Sequence, residues 1–154
     1  MNRKGFTLIE LLAVIVLIAI IGIITVPNLL NTVDSSKEES YDILIKNIVT
    51  ASKTYYEECE YGDLSDSKYG EYACTIDSEK KITITLSALA NTGFLSVKDV
   101  DENNKKQVLD PTNNNNISDC QITITKNIDE KYKVTYTITP NGGTNCPTEY
   151  GSVE

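Results

Sequence analysis

An almost uninterrupted apolar segment near the N-terminus most constrains what this chain can fold into. From Leu11 to Val26 the only side chain with a hydrogen-bonding group is Thr25. Counted from Phe6, the segment is about 31 Å long as an α-helix at ~1.5 Å per residue, close to the ~30 Å of bilayer hydrocarbon. Basic residues precede it, so the positive-inside rule places the N-terminus in the cytoplasm and the rest of the chain outside.

A single carboxylate, Glu10, lies inside this segment. A charge there costs roughly 2.5–3.5 kcal/mol on membrane-insertion scales, so Glu10 should have a function. A cleaved secretory signal would have a shorter apolar region and a small-residue cleavage site, which Ile24–Asn28 does not provide. A lipoprotein signal would need a cysteine directly after the run, whereas the first cysteine is Cys59. A plain signal anchor explains the length of the segment but neither Gly5 nor Glu10.

The segment KGFTLIELLAVIVLIAIIGIITVP resembles the N-terminus of type IV prepilins and type II secretion pseudopilins. That family combines a short basic leader, a glycine, a phenylalanine and a glutamate four residues further on, which are present here as Lys4, Gly5, Phe6 and Glu10. The resemblance implies a pilin-like α+β fold. In this fold a long N-terminal helix, half transmembrane and half amphipathic, packs on a small antiparallel β-sheet.

The resemblance also implies how the chain is processed. A membrane aspartyl protease would cut between Gly5 and Phe6 and methylate the new amine of Phe6. Glycine lacks a Cβ, which suits an extended backbone in a narrow protease site. In a growing filament Glu10 would meet the N-terminal amine of a neighbouring subunit, and each charge would offset the burial cost of the other.

The same resemblance divides the chain into four regions. The leader covers 1–5, the transmembrane and filament-core helix 6–27, the amphipathic half of the helix 28–58 and a small disulfide-stapled β-domain 59–154. Gly22 and Pro27 are expected to loosen or kink the helix, since proline removes a backbone hydrogen bond.

Four cysteines follow the apolar segment, on the oxidising side of the predicted topology, and they allow three connectivities. Pairing within each subregion favours Cys59–Cys74 and Cys120–Cys146, and the second pair resembles the cysteine clamp of many pilins. A zinc site is disfavoured, since the spacings are not C-x-x-C and the chain has no histidine.

Beyond the apolar segment, periodicity predicts the remaining elements. An apolar stripe at helical spacing, Tyr41, Leu44, Ile45, Ile48, Ser52 and Tyr55, predicts an amphipathic helix that packs under a sheet. Residues 57–79 are expected to form a loop, 82–86 a strand, 87–93 a short helix capped by Gly93, and 120–125 with 132–139 a hairpin. Residues 141–154 are expected to form a loop pinned by Cys146.

The charge of the chain limits its ligands. With 22 acidic and 14 basic side chains the net charge is −8, which argues against direct nucleic-acid binding because that requires a basic patch. Without histidine, the common Ser-His and Cys-His catalytic arrangements are excluded. No cofactor is expected. Asp99, Asp101, Glu102 and Asp110 could offer oxygen ligands to Ca²⁺, but their spacing does not match an EF-hand, and a solvated acidic loop is favoured.

The sequence therefore predicts a non-enzymatic structural subunit of a type IV pilus or pseudopilus, serving adhesion, motility, secretion or DNA uptake. Its expected partners are other pilin-like subunits, a prepilin peptidase, the inner-membrane assembly platform and, before assembly, the lipid bilayer. The expected location is the cytoplasmic membrane as a single-pass protein, then an extracellular filament. The alternative is a membrane-anchored extracellular binding domain that does not polymerise.

Overall fold

A computed structural model of the chain describes residues 6–62, 74–143 and 145–154, and within 24–31 it describes the helical backbone alone. The predicted leader, with Gly5, lies outside the described residues. The chain divides into two compact units, Met1–Glu39 and Ser40–Glu154. The boundary falls next to the polar residues that precede the predicted amphipathic stripe.

The first unit contains the beginning of helix α1, which spans Leu8–Tyr61. The helix is continuous past Gly22 and Pro27, and the kink expected there stays a prediction. From Leu8 to Ile23 the large apolar side chains are about half exposed or more. Among the residues whose side chains are described, no helix combines the length and apolarity needed to cross a membrane.

The second unit is built around the C-terminal part of α1. Ile48, Ser52 and Tyr55 from the predicted stripe are almost fully buried, and Leu44 and Ile45 pack against the same core. The hydroxyl of Ser52 donates to the carbonyl of Ile48 at 2.7 Å, so its burial leaves no unsatisfied polar atom. The predicted amphipathic helix is confirmed.

The sheet consists of four antiparallel strands in the order β1-β2-β3-β4. The strands and the short helix between the first two are β1 Lys81–Thr85, α2 Leu86–Asn91, β2 Gln121–Ile128, β3 Val134–Pro140 and β4 Gly151–Val153. Isoleucines at alternate positions face α1 and pair across strands, as in Ile84 with Ile122 and Ile124 with Ile138. The predicted α+β class with a small antiparallel sheet is confirmed.

The boundaries of β1 and α2 correct the sequence prediction by one or two residues. Leu86, expected as the last strand residue, begins α2 because the Thr85 hydroxyl accepts from the amide of Ala88 at 3.2 Å and caps the helix. At the other end Thr92 is the C-cap, and Gly93 follows it with φ +90°. Glycine suits that position because it adopts positive φ without steric cost.

Three further boundaries were wrong. α1 continues to Tyr61, so Glu57 to Glu60 are helical, not the start of a loop. The β2–β3 hairpin turns at 129–133 instead of 127–131, because Ile128 pairs with Val134. The C-terminal segment contains strand β4, which pairs with β3.

The carboxylate of Glu154, just after β4, pairs with Lys133, and Lys53 donates to the backbone oxygen of Glu154.

One five-residue turn occurs three times, over Asp77–Lys81, Asp101–Lys105 and Asp129–Lys133. In each, an aspartate Oδ1 accepts from the backbone amides two and four residues later, at 2.8–2.9 Å. The fourth residue of each turn has a positive φ of 58–61°. An aspartate that organises its own turn is a local effect.

Candidate functional site

The start of α1 is organised by a reciprocal pair of side chains, Thr7 and Glu10. The Glu10 carboxylate accepts through Oε2 from both the amide and the hydroxyl of Thr7, each at 2.8 Å. In return the amide of Glu10 lies 3.4 Å from Oγ1 and 3.1 Å from the carbonyl of Thr7. This is a capping box, in which a Thr at the N-cap and a Glu three residues later satisfy backbone donors that the first helical turn leaves free.

The capping box gives Glu10 a role within its own subunit. One carboxylate oxygen, Oε2, takes both bonds from Thr7, and among the described residues none donates to Oε1. The carboxylate thus lies at the positive end of the helix dipole with a free oxygen. Phe6, directly before the cap, is 74% exposed. Sequence reasoning found Glu10 but missed Thr7, although T-x-x-E is a recognised start signal for a helix.

Two disulfides brace the second unit. Cys59 on α1 bonds to Cys74 with Cα atoms 5.4 Å apart, and Cys120 bonds to Cys146 with Cα atoms 5.6 Å apart. This is the local pairing that the sequence favoured. Cys120 is 1% exposed, so the second bridge attaches the C-terminal segment directly to the core.

Gly143 lies against the second bridge. A Cβ on this residue would lie 2.3 Å from Sγ of Cys146 and 3.3 Å from Cα of Cys120. Its φ of +121° also favours glycine. The turn after β3 therefore needs glycine here for both space and backbone conformation.

A buried cation holds the C-terminal end of α1 on the sheet. Lys126 of β2 pairs with the Glu60 carboxylate and donates to the hydroxyl of Tyr61 at 3.0 Å. The side chain of Lys126 is 5% exposed and that of Glu60 is 26% exposed. Burial lowers the pKa of Lys126, whereas the bonds to Glu60 and Tyr61 raise it, and the net shift is upward. Sequence reasoning did not anticipate this pair, which joins residues 66 positions apart.

Of the four carboxylates considered for Ca²⁺, Asp101 and Asp110 organise two different turns. Asp101 accepts from the amides of its own turn, and Asp110, 8% exposed, accepts from the amide and hydroxyl of Thr112. Within the described part of the chain, no three acidic, cysteine or histidine side chains are grouped so that they could hold a metal. Asp101 and Asp110 thus have local structural partners.

Comparison with known proteins gives the family context of this N-terminus. Residues 1–26 match the family model described as the prokaryotic N-terminal methylation motif. The chain is 33% identical over 91 residues to the competence protein ComGC of Bacillus subtilis, and the match covers 92% of that relative and 55% of this chain. The chain belongs to the type IV pilin-like family. This chain is longer than the Bacillus subtilis relative, since the alignment covers almost all of that relative and about half of this chain.

A second relative supports the same assignment over a shorter stretch. The ComG operon protein 3 homolog of Bacillus licheniformis is 44% identical over 57 residues, which is 37% of this chain and 58% of that relative. No solved structure matches the chain. The predicted family is confirmed, and one of the two relatives is named as a competence protein.

Proposed function

We propose that this type IV pilin-like protein is a structural subunit of a competence pseudopilus, matured by cleavage after Gly5 and methylation of Phe6. The observation that carries the proposal is the match of residues 1–26 to the N-terminal methylation motif, followed by an exposed apolar helix. The exposed apolar side chains from Leu8 to Ile23 must be buried away from water, and filament assembly would bury them. The second unit already has a buried hydrophobic core of its own.

Before assembly, we propose that the apolar segment lies in the cytoplasmic membrane with the N-terminus inside. The support comes from the sequence: the span from Phe6 to Val26 fits a bilayer, and cations precede it. Removal of the leader would remove Arg3 and Lys4, the charges that hold the N-terminus on the cytoplasmic side. A prepilin peptidase and an inner-membrane platform are the partners that such a pathway requires.

In the filament, Glu10 would bind the N-terminal amine of a neighbouring subunit. The capping box supports this role because it fixes the carboxylate on the first helical turn and leaves Oε1 without a described donor. An amine and a carboxylate that meet in an apolar filament core would satisfy each other, whereas either charge alone would be penalised. Glu10 would thus set the register between subunits.

The competence context comes from the name of the Bacillus subtilis relative. A net charge of −8 makes a subunit that contacts DNA directly a poor fit. We therefore assign DNA contact to another component and a structural role to this chain. Deletion of the gene should abolish uptake of DNA in a competent host, and an intact uptake frequency would refute the competence assignment.

Mass spectrometry of the purified mature chain tests the processing. The proposal expects an N-terminal Phe6 carrying one added methyl group. An intact Met1, or a cut beyond Pro27, would instead favour a membrane anchor or a secreted domain that does not polymerise. Gly5→Arg should leave uncleaved precursor in the membrane and no filament.

Two variants separate the charge of Glu10 from its capping role. Glu10→Gln keeps an oxygen that can accept from Thr7 but removes the charge, so we expect cleavage to continue and assembly to fail. Glu38→Gln removes a carboxylate elsewhere on the same helix and serves as the matched control. If Glu10→Gln assembles like the control, the pairing of Glu10 with an amine is wrong.

A further inference from the structure

The chain leaves β3 through a bulge that contains the only Asn-Gly dipeptide of the sequence. Beyond the strand pair of Ile122 with Pro140, the single residue Gln121 lies opposite both Asn141 and Gly142. The amide of Asn141 donates to the carbonyl of Gln121 at 2.9 Å, and the amide of Gln121 donates to the carbonyl of Gly142 at 3.3 Å. Two residues opposite one form a β-bulge, which leaves part of the longer strand unpaired.

The backbone amide of Gly142 is the group that this bulge leaves unpaired. Among the described residues none accepts a hydrogen bond from it, and none bonds to the carboxamide of Asn141. Both residues are exposed, so water reaches the amide and the side chain beside it. A backbone nitrogen therefore lies next to an asparagine side chain, and neither group is held by a described partner.

This arrangement suits the reaction that makes asparagine a thermolabile residue. The backbone nitrogen after an asparagine attacks the side-chain Cγ of that asparagine and closes a succinimide ring. A hydrogen bond from this nitrogen to an acceptor opposes the attack, because that bond must break before the nitrogen can approach Cγ. A glycine after the asparagine favours ring closure, because it has no Cβ to contact the ring and its backbone is less restricted.

Many other asparagines of the second unit are protected from this reaction by their own turns and caps. The amide that follows the asparagine donates at 2.7–3.0 Å to a backbone or side-chain oxygen in Thr92, Asn104, Lys105, Asn114, Asn115 and Ile117. None of the asparagines before these residues is followed by glycine. Asn141 combines the two features that favour ring closure, a following glycine and a following amide without a described acceptor.

We propose that Asn141 is a site of spontaneous modification, at which the Gly142 nitrogen displaces the side-chain amino group. The bond from this nitrogen to Cγ of Asn141 forms, the bond from Cγ to Nδ2 breaks, and Nδ2 leaves as ammonia with the proton from the Gly142 amide. Water then opens the succinimide. Opening at Cγ gives aspartate, and opening at the main-chain carbonyl carbon gives isoaspartate, in which the backbone runs through Cγ.

The modification changes how the C-terminal segment leaves the sheet. Either product adds a carboxylate to a chain whose net charge is already −8. Isoaspartate also inserts a methylene into the main chain between the two hydrogen bonds that join the bulge to Gln121. The next residue, Gly143, lies against the Cys120–Cys146 bridge. The reaction requires only the folded second unit, so the inference is independent of filament assembly.

Peptide mass spectrometry of the full-length protein, incubated in detergent at neutral pH and physiological temperature, tests the proposal. After reduction, the C-terminal tryptic peptide begins at Val134 and contains both Asn141 and Asn145, so fragment masses compare the two asparagines in one molecule. We expect the mass increase of an amide-to-acid conversion at Asn141, faster at higher pH because the attacking nitrogen must lose its proton, while Asn145 stays intact over the same period.

Two variants test the ring mechanism. Gly142→Ala adds a Cβ that would meet no atom within 4 Å, and it should slow conversion of Asn141 about tenfold. Asn141→Gln requires a larger ring and should show no conversion at this position. Near-ultraviolet circular dichroism checks that both variants keep the fold. Wild type unfolded in urea is the matched control, in which conversion should speed up at Asn103, whose following amide is released, but change little at Asn141.

Three results would overturn the inference. If Asn141 stays intact in the folded protein, the bulge protects this asparagine. If Asn145 or Asn103 converts first in the folded protein, the unpaired amide does not select the site. If Asn141 converts as fast in Gly142→Ala as in wild type, the nitrogen of residue 142 is not the attacking group. A failure to form filaments, in contrast, counts against the proposed function alone.

Discussion

Glu60→Ala tests how the C-terminal end of α1 is held on the sheet. In the wild type the ammonium group of Lys126 has a carboxylate partner, Glu60, and a hydroxyl partner, Tyr61, while its side chain is 5% exposed. Among the described residues, removing Glu60 leaves this buried charge with the Tyr61 hydroxyl at 3.0 Å and the Tyr61 ring, whose centroid lies 5.1 Å from Nζ.

The expected cost follows from this burial. Breaking a buried ion pair by removing one partner costs roughly 3–5 kcal/mol, and the remaining contact with Tyr61 places the change at the lower end, about 3 kcal/mol. Lys126→Met should cost less, about 1 kcal/mol, because Glu60 is 26% exposed and can be hydrated. The double variant Glu60→Ala/Lys126→Met should regain about 2 kcal/mol relative to Glu60→Ala.

The pH dependence has a definite sign. In the wild type the folded pKa of Lys126 is raised, so its contribution to stability is present below the unfolded pKa and is lost as pH rises through the folded value. In Glu60→Ala burial dominates and lowers the folded pKa. The unfolded chain then binds more protons, and stability should rise with pH up to about 10.4.

Urea unfolding of the full chain in detergent, followed by tyrosine circular dichroism in the near ultraviolet, measures these free energies. The signal is available because the chain has nine tyrosines and no tryptophan, and Tyr136 and Tyr56 pack edge to face in the core. Equal costs for Glu60→Ala and Lys126→Met, or a stability difference between wild type and Glu60→Ala that does not shrink as pH rises from 7 to 10, would refute the reasoning.

Three further sets of substitutions test individual features of the structure. Gly142→Ala should lower the free energy of unfolding by about 1 kcal/mol because of its positive φ. Gly143→Ala should lower it by at least about 2 kcal/mol more and raise the free-thiol content, because its Cβ would lie 2.3 Å from the Cys146 sulfur. Equal losses for the two variants would contradict the clash. Thr7→Val should destabilise the first turn of α1 by about 1 kcal/mol, because it removes the capping hydroxyl. Backbone amides of that turn should therefore exchange faster in Thr7→Val than in Thr7→Ser, which keeps the hydroxyl. Equal exchange rates would exclude capping by Thr7. Tyr132→Asn should raise the free energy of unfolding in urea by about 0.5–1 kcal/mol, because asparagine adopts positive φ more readily than tyrosine. Asn104 occupies the same positive-φ position in the equivalent turn. A loss of stability would contradict strain at Tyr132.

Local patterns in the sequence predicted much of the fold. Alternation of isoleucine and threonine identified β1, β2 and β3, and the helical stripe through Ile48, Ser52 and Tyr55 identified the buried side of α1. Both patterns arise because each element buries one face against a common core. The short helix was found to within two residues at each end, as its Gly93 signal is equally local.

Other features could not be predicted because they depend on distant residues. Strand β4 is three residues long and contains glycine and serine, so its pairing with β3 gives it a structure that its own propensity does not. The Lys126–Glu60 pair joins β2 to α1 across 66 positions, which no periodicity reveals. The capping box, in contrast, was visible in the sequence as T-x-x-E and was missed.

The sequence by itself determined the family, the apolar N-terminal helix and the position of its single carboxylate, because these depend on side-chain polarity along one continuous segment. The tertiary structure alone decided what surrounds the charges and the cysteines. It buried Lys126 against Glu60 and placed Gly143 on the Cys120–Cys146 bridge. It also aligned the threonines of three strands on one face of the sheet, since strand register is set by packing across the sheet and not by any strand alone.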